Sequence, residues 1–362
     1  MGEDKITSGA GAALCIMTLM TNAYSVMPGA EAGAGVWISH IAAGALALIL
    51  ALLFAVLCDA FPEKSFFGVL EVSLGKFAGR LIAFFLAVAS LLTCVVSLTV
   101  FSRFVQITAL PQTPQIIIPG LVIVIAALSL RCGLRAASGS ARLLVWFSVA
   151  VFLIYVIFGI GRAGLSLTAP DITRVEPLLS GGGEVFLNRF GALPALMAIY
   201  VRMPKKGRRA PFFAAIGGVA AALCIIALIT VATLGAETAR TDFYPIYTAM
   251  SVRGVGGFIQ HTEIFACIAM TLCLFFKSAV CLAFSDDMLS GVFSAERRLG
   301  AAMPLALICA ASTQLIYRDI SGLRGMVEWK SGAWFAVALY VAAAILPWLG
   351  ERVRRAKTGK AQ

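Results

Sequence analysis

"TLMTNAYSVMPGAEAGAG", residues 18–35, interrupts the first apolar run of the chain just where a membrane helix would be expected to continue. Asn22, Tyr24 and Ser25 bring polar groups into the run. Pro28 follows, then Gly29, Gly33 and Gly35. Proline removes a backbone donor and clashes with the preceding turn, while glycine accepts the dihedrals of an unwound segment. Such a break leaves amides free to bind a carboxylate and carbonyls free to bind an ammonium or a cation. Inside a bilayer, irregular backbone is tolerated only where protein buries it or a cavity is lined by it. The stretch therefore reads as part of a site, with Asn22, Ala23, Tyr24 and Ser25 as ligand-binding candidates.

The surroundings make the bilayer the relevant solvent. Of 362 residues, 60% are hydrophobic and only 13% charged, too little polar surface to cover a soluble core of this size. Apolar runs near the roughly 20 residues needed to cross a bilayer recur throughout. Ten spans are predicted, near 9–28, 36–58, 81–102, 115–130, 143–161, 186–201, 212–235, 262–285, 300–317 and 331–349. The acidic start "MGEDKITSG" has no cleavage site after the first run and reads as an uncleaved terminus. The fold class is an all-α polytopic membrane protein.

The net charge of +11 lies in short clusters between the spans rather than on one soluble face, which argues against nucleic acid. With an inner N-terminus, the inner segments collect Lys64, Lys76, Arg80, Arg131, Arg135, Arg142, Arg202, Lys205, Lys206, Arg208 and Arg209. Residues 350–362 form a basic tail on the same side. The outer side and its span ends receive fewer, including Arg103, Arg189, Arg240 and Lys330. Both termini are thus expected in the cytoplasm. Nine cysteines without a CxxC, and only two histidines, read as small packing residues rather than as a metal or redox site. No cofactor is expected, and no nucleophile–base pair or phosphate loop points to an enzyme.

A second break stands in the sixth span, "NRFGALPALMAIYVR" (188–202), with Gly191 and Pro194 at its middle. Gly191, Ala192, Leu193 and Pro194 are its ligand-binding candidates. Two loops also correspond. "FPEKSFFGVLEVSLGKFAG" (61–79) follows the second span and "YPIYTAMSVRGVGGF" (244–258) the seventh; each opens aromatic-Pro, continues as a short helix and closes on glycine. Spans one and six, and two and seven, stand five apart. Five is odd, so residues 186–349 enter the membrane the other way up from residues 9–164. This is the pattern of a 5+5 inverted repeat in a single membrane domain, with the binding site at the broken first helix of each half.

"CLFFKSAVCLAF" (273–284) places Lys277 inside the eighth span, with Cys273 and Cys281 one turn away on either side. An intramembrane cation is a functional candidate by default, and a lysine snorkelling to the inner interface is the plainer alternative. Thr93 and Ser97 on the third span, and Thr271 and Ser278 on the eighth, are lining candidates, although such hydroxyls usually bond their own preceding turn. Glu31 and Glu263 are expected near the outer surface, and Asp286 and Asp287 at the inner end of the eighth span.

The chain resembles the permease-like B subunits of spore germinant receptors, within the amino acid–polyamine–organocation superfamily. The resemblance rests on the order and spacing of "ITSGAGAAL" (6–14), "AGAGVWIS" (32–39), "FPEKSFFGVLEVSLGKFAGRLIAFF" (61–85), "FSRFVQITALPQTP" (101–114) and the stretch 243–289. It implies a leucine-transporter-like fold and a small germinant, an amino acid, bound at spans one and six. It implies as partners a larger membrane subunit and a lipoprotein, in the bacterial cytoplasmic membrane or the spore inner membrane. It also implies that span eight packs against the unwound part of span one. Lys277, with Ser278, would there stand in for a bound cation by donating to the carbonyls around Ala23 and Tyr24. Departures from the family pattern occur in "TLMTNAYS", in "GALPALMA", which has no acid, and in "QHTE" (260–263). A proton-coupled amino-acid transporter is the alternative activity, and a scaffold that has lost its ligand is a third.

Overall fold

The computed structural model describes residues 5–108, 110–160, 175–251, 262–294, 300–316 and 320–358. Every regular element among them is helical. Helix α1 (Ser8–Leu19) opens on Thr7, whose hydroxyl accepts from the Ala10 amide at 3.4 Å. It stops at Leu19, and Asn22 takes a left-handed conformation with φ 57°, which asparagine tolerates better than most residues. Gly29, at φ 77°, turns the chain into a short 3₁₀ stretch, Ala30–Gly35, which leads into α2 (Val36–Ala60).

The loop after α2 folds as α3 (Phe66–Leu74), capped by Ser65 and ended by Gly75 at φ 86°. Helix α4 (Lys76–Thr108) folds back on it. They meet at Gly79, where a Cβ would come within 2.8 Å of the Glu71 backbone. Helix α5 (Ile117–Ser129) joins α6 (Gly133–Ile160) through one 3₁₀ turn and Gly133 at φ 81°. Helix α7 (Val175–Val185) passes through a π-helical turn, Phe186–Phe190, and a 3₁₀ turn, Pro194–Leu196, into the single turn α8 (Met197–Tyr200). Helix α9 (Arg209–Leu234) is followed by the short α10 (Ala236–Thr241) and α11 (Pro245–Ser251). Helices α12 (Thr262–Val292), α13 (Ala302–Ile316), α14 (Ile320–Val327) and α15 (Lys330–Thr358) complete the chain.

This is a multi-pass membrane protein. Six stretches among the described residues are long and apolar enough to cross a bilayer: Ala30–Ala60, Lys76–Thr108, Ile117–Ile160, Arg209–Leu234, Ile264–Val292 and Gly322–Gly350. Helix α1 and the stretch Ala302–Gln314 are shorter apolar helices. The outward faces carry large side chains such as Ile49, Leu121, Leu143, Trp146 and Ile157, as a lipid-facing surface requires. The inward faces are small. A Cβ on Gly44 of α2 would come within 2.7 Å of Ala220 Cβ on α9, so these two helices approach as closely as small residues permit.

Several boundaries differ from the sequence expectation. The helical stretch leading to the second break begins at Val175 rather than 186. Helix α12 runs on to Val292, past the expected end at 285, because its acids are engaged elsewhere: Asp286 Oδ1 accepts from the Ala301 amide at 2.9 Å and Asp287 pairs with Arg202 at 2.6 Å. The two corresponding loops do form short helices, α3 and α11. Gly254, Gly256 and Gly257, Arg253 and the "QHTE" segment up to His261 lie outside the described residues, as do Arg297 and Arg298.

Candidate functional site

Helix α1 lies at the centre of the molecule, against α6, α9 and α12. Its last turn gives way to Met20–Gly29, where the backbone makes only scattered bonds: Ala23 N to Met20 O at 3.0 Å, and Ser25 N to Asn22 O at 3.3 Å. Every residue from Thr18 to Gly29 is buried. Its carbonyls and amides therefore need partners from elsewhere in the chain.

The partners come from the helix of the second break. Arg189 is only 2% exposed; its Nη1 donates to Asn22 O and its Nη2 to Val26 O, both at 2.7 Å. Five residues earlier, Glu184 Oε2 accepts from the Gly29 amide at 3.1 Å. One acid just before the π-helical turn and one basic residue within it thus hold the amide end and the carbonyl end of the broken segment. Neither was found from the sequence. Arg189 fell among the outer-side cations, although an ionisable residue two positions before Gly191 is the same signal that singled out Lys277. Glu184 lies before the start predicted for its span.

The second break keeps more of its own bonds. Gly191 N donates to Leu187 O at 3.1 Å and Leu193 N to Phe190 O at 2.8 Å, while Pro194 has no N–H to leave orphaned. A Cβ on Gly191 would collide with Leu187 O and stand 3.2 Å from the Thr93 side chain, so this position requires glycine. Its carbonyl accepts from Tyr340 Oη of α15 at 2.6 Å. Ala192, Leu193 and Pro194 are all buried.

Lys277 of α12 is 1% exposed and donates to Ser97 Oγ of α4 at 2.7 Å. It does not hold the carbonyls of Ala23 and Tyr24; the guanidinium of Arg189 takes the freed carbonyls of this segment instead. The physical reason is reach and shape. A planar fork on the π-helical turn after α7 spans two carbonyls, whereas a point-like ammonium on α12 meets one hydroxyl. Lys277 nonetheless belongs to the same assembly. Asn22 Nδ2 donates to Ser97 O at 3.2 Å, so hydrogen bonds run from Arg189 through Asn22 and Ser97 to Lys277. Among the described residues neither cation has a carboxylate partner. Thr21 Oγ1 also ties the break to α12, donating to Cys273 O at 3.1 Å.

The remaining candidates divide. Thr93 and Ser97 are buried, and each donates to its own preceding turn, at 2.8 and 2.9 Å. Ser25 donates to Asn22 O at 3.1 Å. Ser278 accepts from Cys94 Sγ at 3.6 Å. Thr271 is exposed and bonds only Cys267 O, which takes it out of the site. At the two breaks, the buried side-chain oxygens without a hydrogen-bond partner among the described residues include Asn22 Oδ1, Tyr24 Oη and Glu184 Oε1. All nine cysteines are free thiols, and among the described residues no metal-ligating cluster occurs.

Ion pairs flank the site. On one side Asp59, at the end of α2, accepts from Arg208, from Arg209 Nε at 2.6 Å and from Tyr200 Oη at 3.0 Å. The Arg208 guanidinium also stacks 4.3 Å over the Tyr200 ring. Arg202 pairs with Asp287, Lys205 with Glu63, and the Ile6 amide donates to Arg202 O at 3.0 Å. On the other side Glu31 pairs with Lys330.

No curated protein matches the chain. A family model does, over residues 5–319, which covers both breaks, α4 and α12. It describes a spore permease, a spore germination protein, and the chain belongs to that family.

Proposed function

We propose that the chain is the permease-like subunit of a spore germinant receptor and that it binds a small nutrient, an amino acid, at broken helices one and six. The observation that carries this reading is the buried hydrogen-bonded path from Arg189 through Asn22 and Ser97 to Lys277, in a member of a spore germination family. The path joins four elements where helix α1 gives up its own bonds. Buried polar networks of this kind are costly unless used.

In this reading the chain has ten crossing segments in two inverted five-span halves, 9–164 and 186–349, of leucine-transporter type, with both termini cytoplasmic. The carboxylate of the nutrient meets the unused N–H groups of Arg189 and Lys277, and its ammonium meets Asn22 Oδ1 and Tyr24 Oη. Rocking of the halves passes to a larger membrane subunit and a lipoprotein. The chemistry is binding and conformational change, not catalysis. The second reading, a proton-coupled amino-acid transporter, draws on the same Lys277, which has no carboxylate partner and can exchange its proton with site occupancy.

Proteoliposomes holding the protein, offered labelled amino acids under a proton gradient, separate the two. Saturable binding without accumulation is expected for the receptor subunit. Accumulation that collapses in Lys277→Met makes the chain a transporter. Neither binding nor uptake overturns the site.

A further inference from the structure

We infer that the broken segment of helix one forms a cation site that the chain fills with its own guanidinium, so that Arg189 replaces a bound metal ion. Helix α1 ends at Leu19, and beyond it the backbone makes only turn bonds, Ala23 N to Met20 O and Ser25 N to Asn22 O. Buried carbonyls that converge at a helix break are the donor set that replaces the water shell of a sodium or potassium ion. Here two of them, Asn22 O and Val26 O, each lie 2.7 Å from one nitrogen of the same side chain. Asn22 reaches this geometry only by adopting φ 57°, a conformation an asparagine holds when its surroundings fix it. The positive charge is delivered from the π-helical turn after α7, and among the described residues no carboxylate pairs with it. The carbonyl dipoles therefore supply the negative potential that the guanidinium needs. A guanidinium is always charged and cannot dissociate from its own chain, so the site is permanently occupied.

This goes beyond the nutrient reading and holds whichever nutrient is bound. It assigns to the segment a second ligand class, a monovalent cation or free guanidinium, which becomes visible only when Arg189 is removed. Removal takes away the guanidinium that bridges Asn22 O and Val26 O, and with it the charge that an ion or a free guanidinium would restore.

The test needs no germinant. The purified protein, wild type and Arg189→Ala, is heated in detergent in sodium, potassium or choline chloride at matched ionic strength. A further series contains millimolar guanidinium. Wild type is expected to unfold at the same temperature in all salts. Arg189→Ala is expected to lose several degrees in choline and to regain at least half of that, saturably, in guanidinium or in one alkali cation. A folded variant that responds to no cation, or equally to choline, overturns the inference. So does wild type specifically stabilised by sodium, because its site would then be open with the arginine in place. If Arg189→Ala does not fold in choline, Arg189→Gln, which keeps a neutral donor, is measured in the same series. Failure of both variants to fold in every salt also overturns the inference, since a free cation would not be able to take the place of the guanidinium. Absence of nutrient binding in the wild type, with an intact cation response in Arg189→Ala, would sink the nutrient site and leave this one standing.

Discussion

Arg189 and Lys277 are both cations buried inside the protein, and they are held in opposite ways. The guanidinium of Arg189 closes two bonds to main-chain carbonyls of the broken segment, Val26 O and an Asn22 O that Ser25 also reaches. The ammonium of Lys277 makes one bond, to a hydroxyl that also serves its own helix by donating to Thr93 O. The first is a strut without which the irregular segment loses its shape. The second is a charge placed where the fold does not need one. Stability and function should therefore separate between them, although the two residues lie on a single hydrogen-bonded path.

The largest effect is expected from Arg189→Met. It removes the charge but leaves Asn22 O and Val26 O buried without that donor, a loss of about 3–5 kcal/mol on the scale of breaking one side of a buried polar arrangement. Thermal unfolding in detergent measures it. Arg189→Lys should recover less than half, because an ammonium does not span two carbonyls as a planar fork does. Full recovery by lysine would erase the contrast drawn here.

Lys277→Met should move in the other direction. Replacing an unpaired buried charge with an apolar chain of similar length is neutral or stabilising, by up to ~1–4 kcal/mol. Nutrient binding should meanwhile fall at least tenfold, a loss of about 1.4 kcal/mol or more in binding free energy. A Lys277→Met protein that melts as early as Arg189→Met would make the lysine a second strut and break the comparison.

These two residues also show what the sequence carried and what it did not. The break after Leu19 was legible because Asn22, Pro28 and Gly29 each act on their own backbone. Lys277 was legible because a lone cation in an apolar run stands out. Arg189 carries the same kind of signal, but it lies beside an interrupted span, where counting charges by side assigned it to the exterior. Its bonds to residues 22 and 26 join positions more than 160 apart, and no local pattern encodes such a pairing. Glu184 was obscured because the glycines before it, 181–183, read as loop. They are helical, and they are small because α7 packs closely there: a Cβ on Gly181 would stand 2.9 Å from Ser39 Oγ and 3.2 Å from Gly29 Cα.

Tyr340→Phe gives a smaller effect that tests the second break against the first. It removes the hydroxyl donating to Gly191 O at 2.6 Å and should cost about 0.5–1.5 kcal/mol. The bonds of Gly191 N and Leu193 N lie within its own backbone and remain. A loss as large as that of Arg189→Met would mean that break six depends on outside support as fully as break one does.

The smallest expected effect discriminates most sharply, because it asks whether the path conducts between the cations or only passes near both. Ser97→Ala removes the acceptor of Lys277 but leaves the Ser97 carbonyl, which holds Asn22 Nδ2. In the wild-type background the lysine loses its bond, at a cost of about 1 kcal/mol. In a Lys277→Met background that cost should vanish, so the double change is non-additive by the same amount. With Arg189→Met the two losses should simply add, since the Asn22 bond runs through the main chain and survives the change. Additivity with arginine and coupling with lysine would establish two separately supported charges at one site. Coupling with both would mean that Asn22 transmits strain from the strut to the lysine, and that a ligand drawing on Lys277 is felt by the helix-one break.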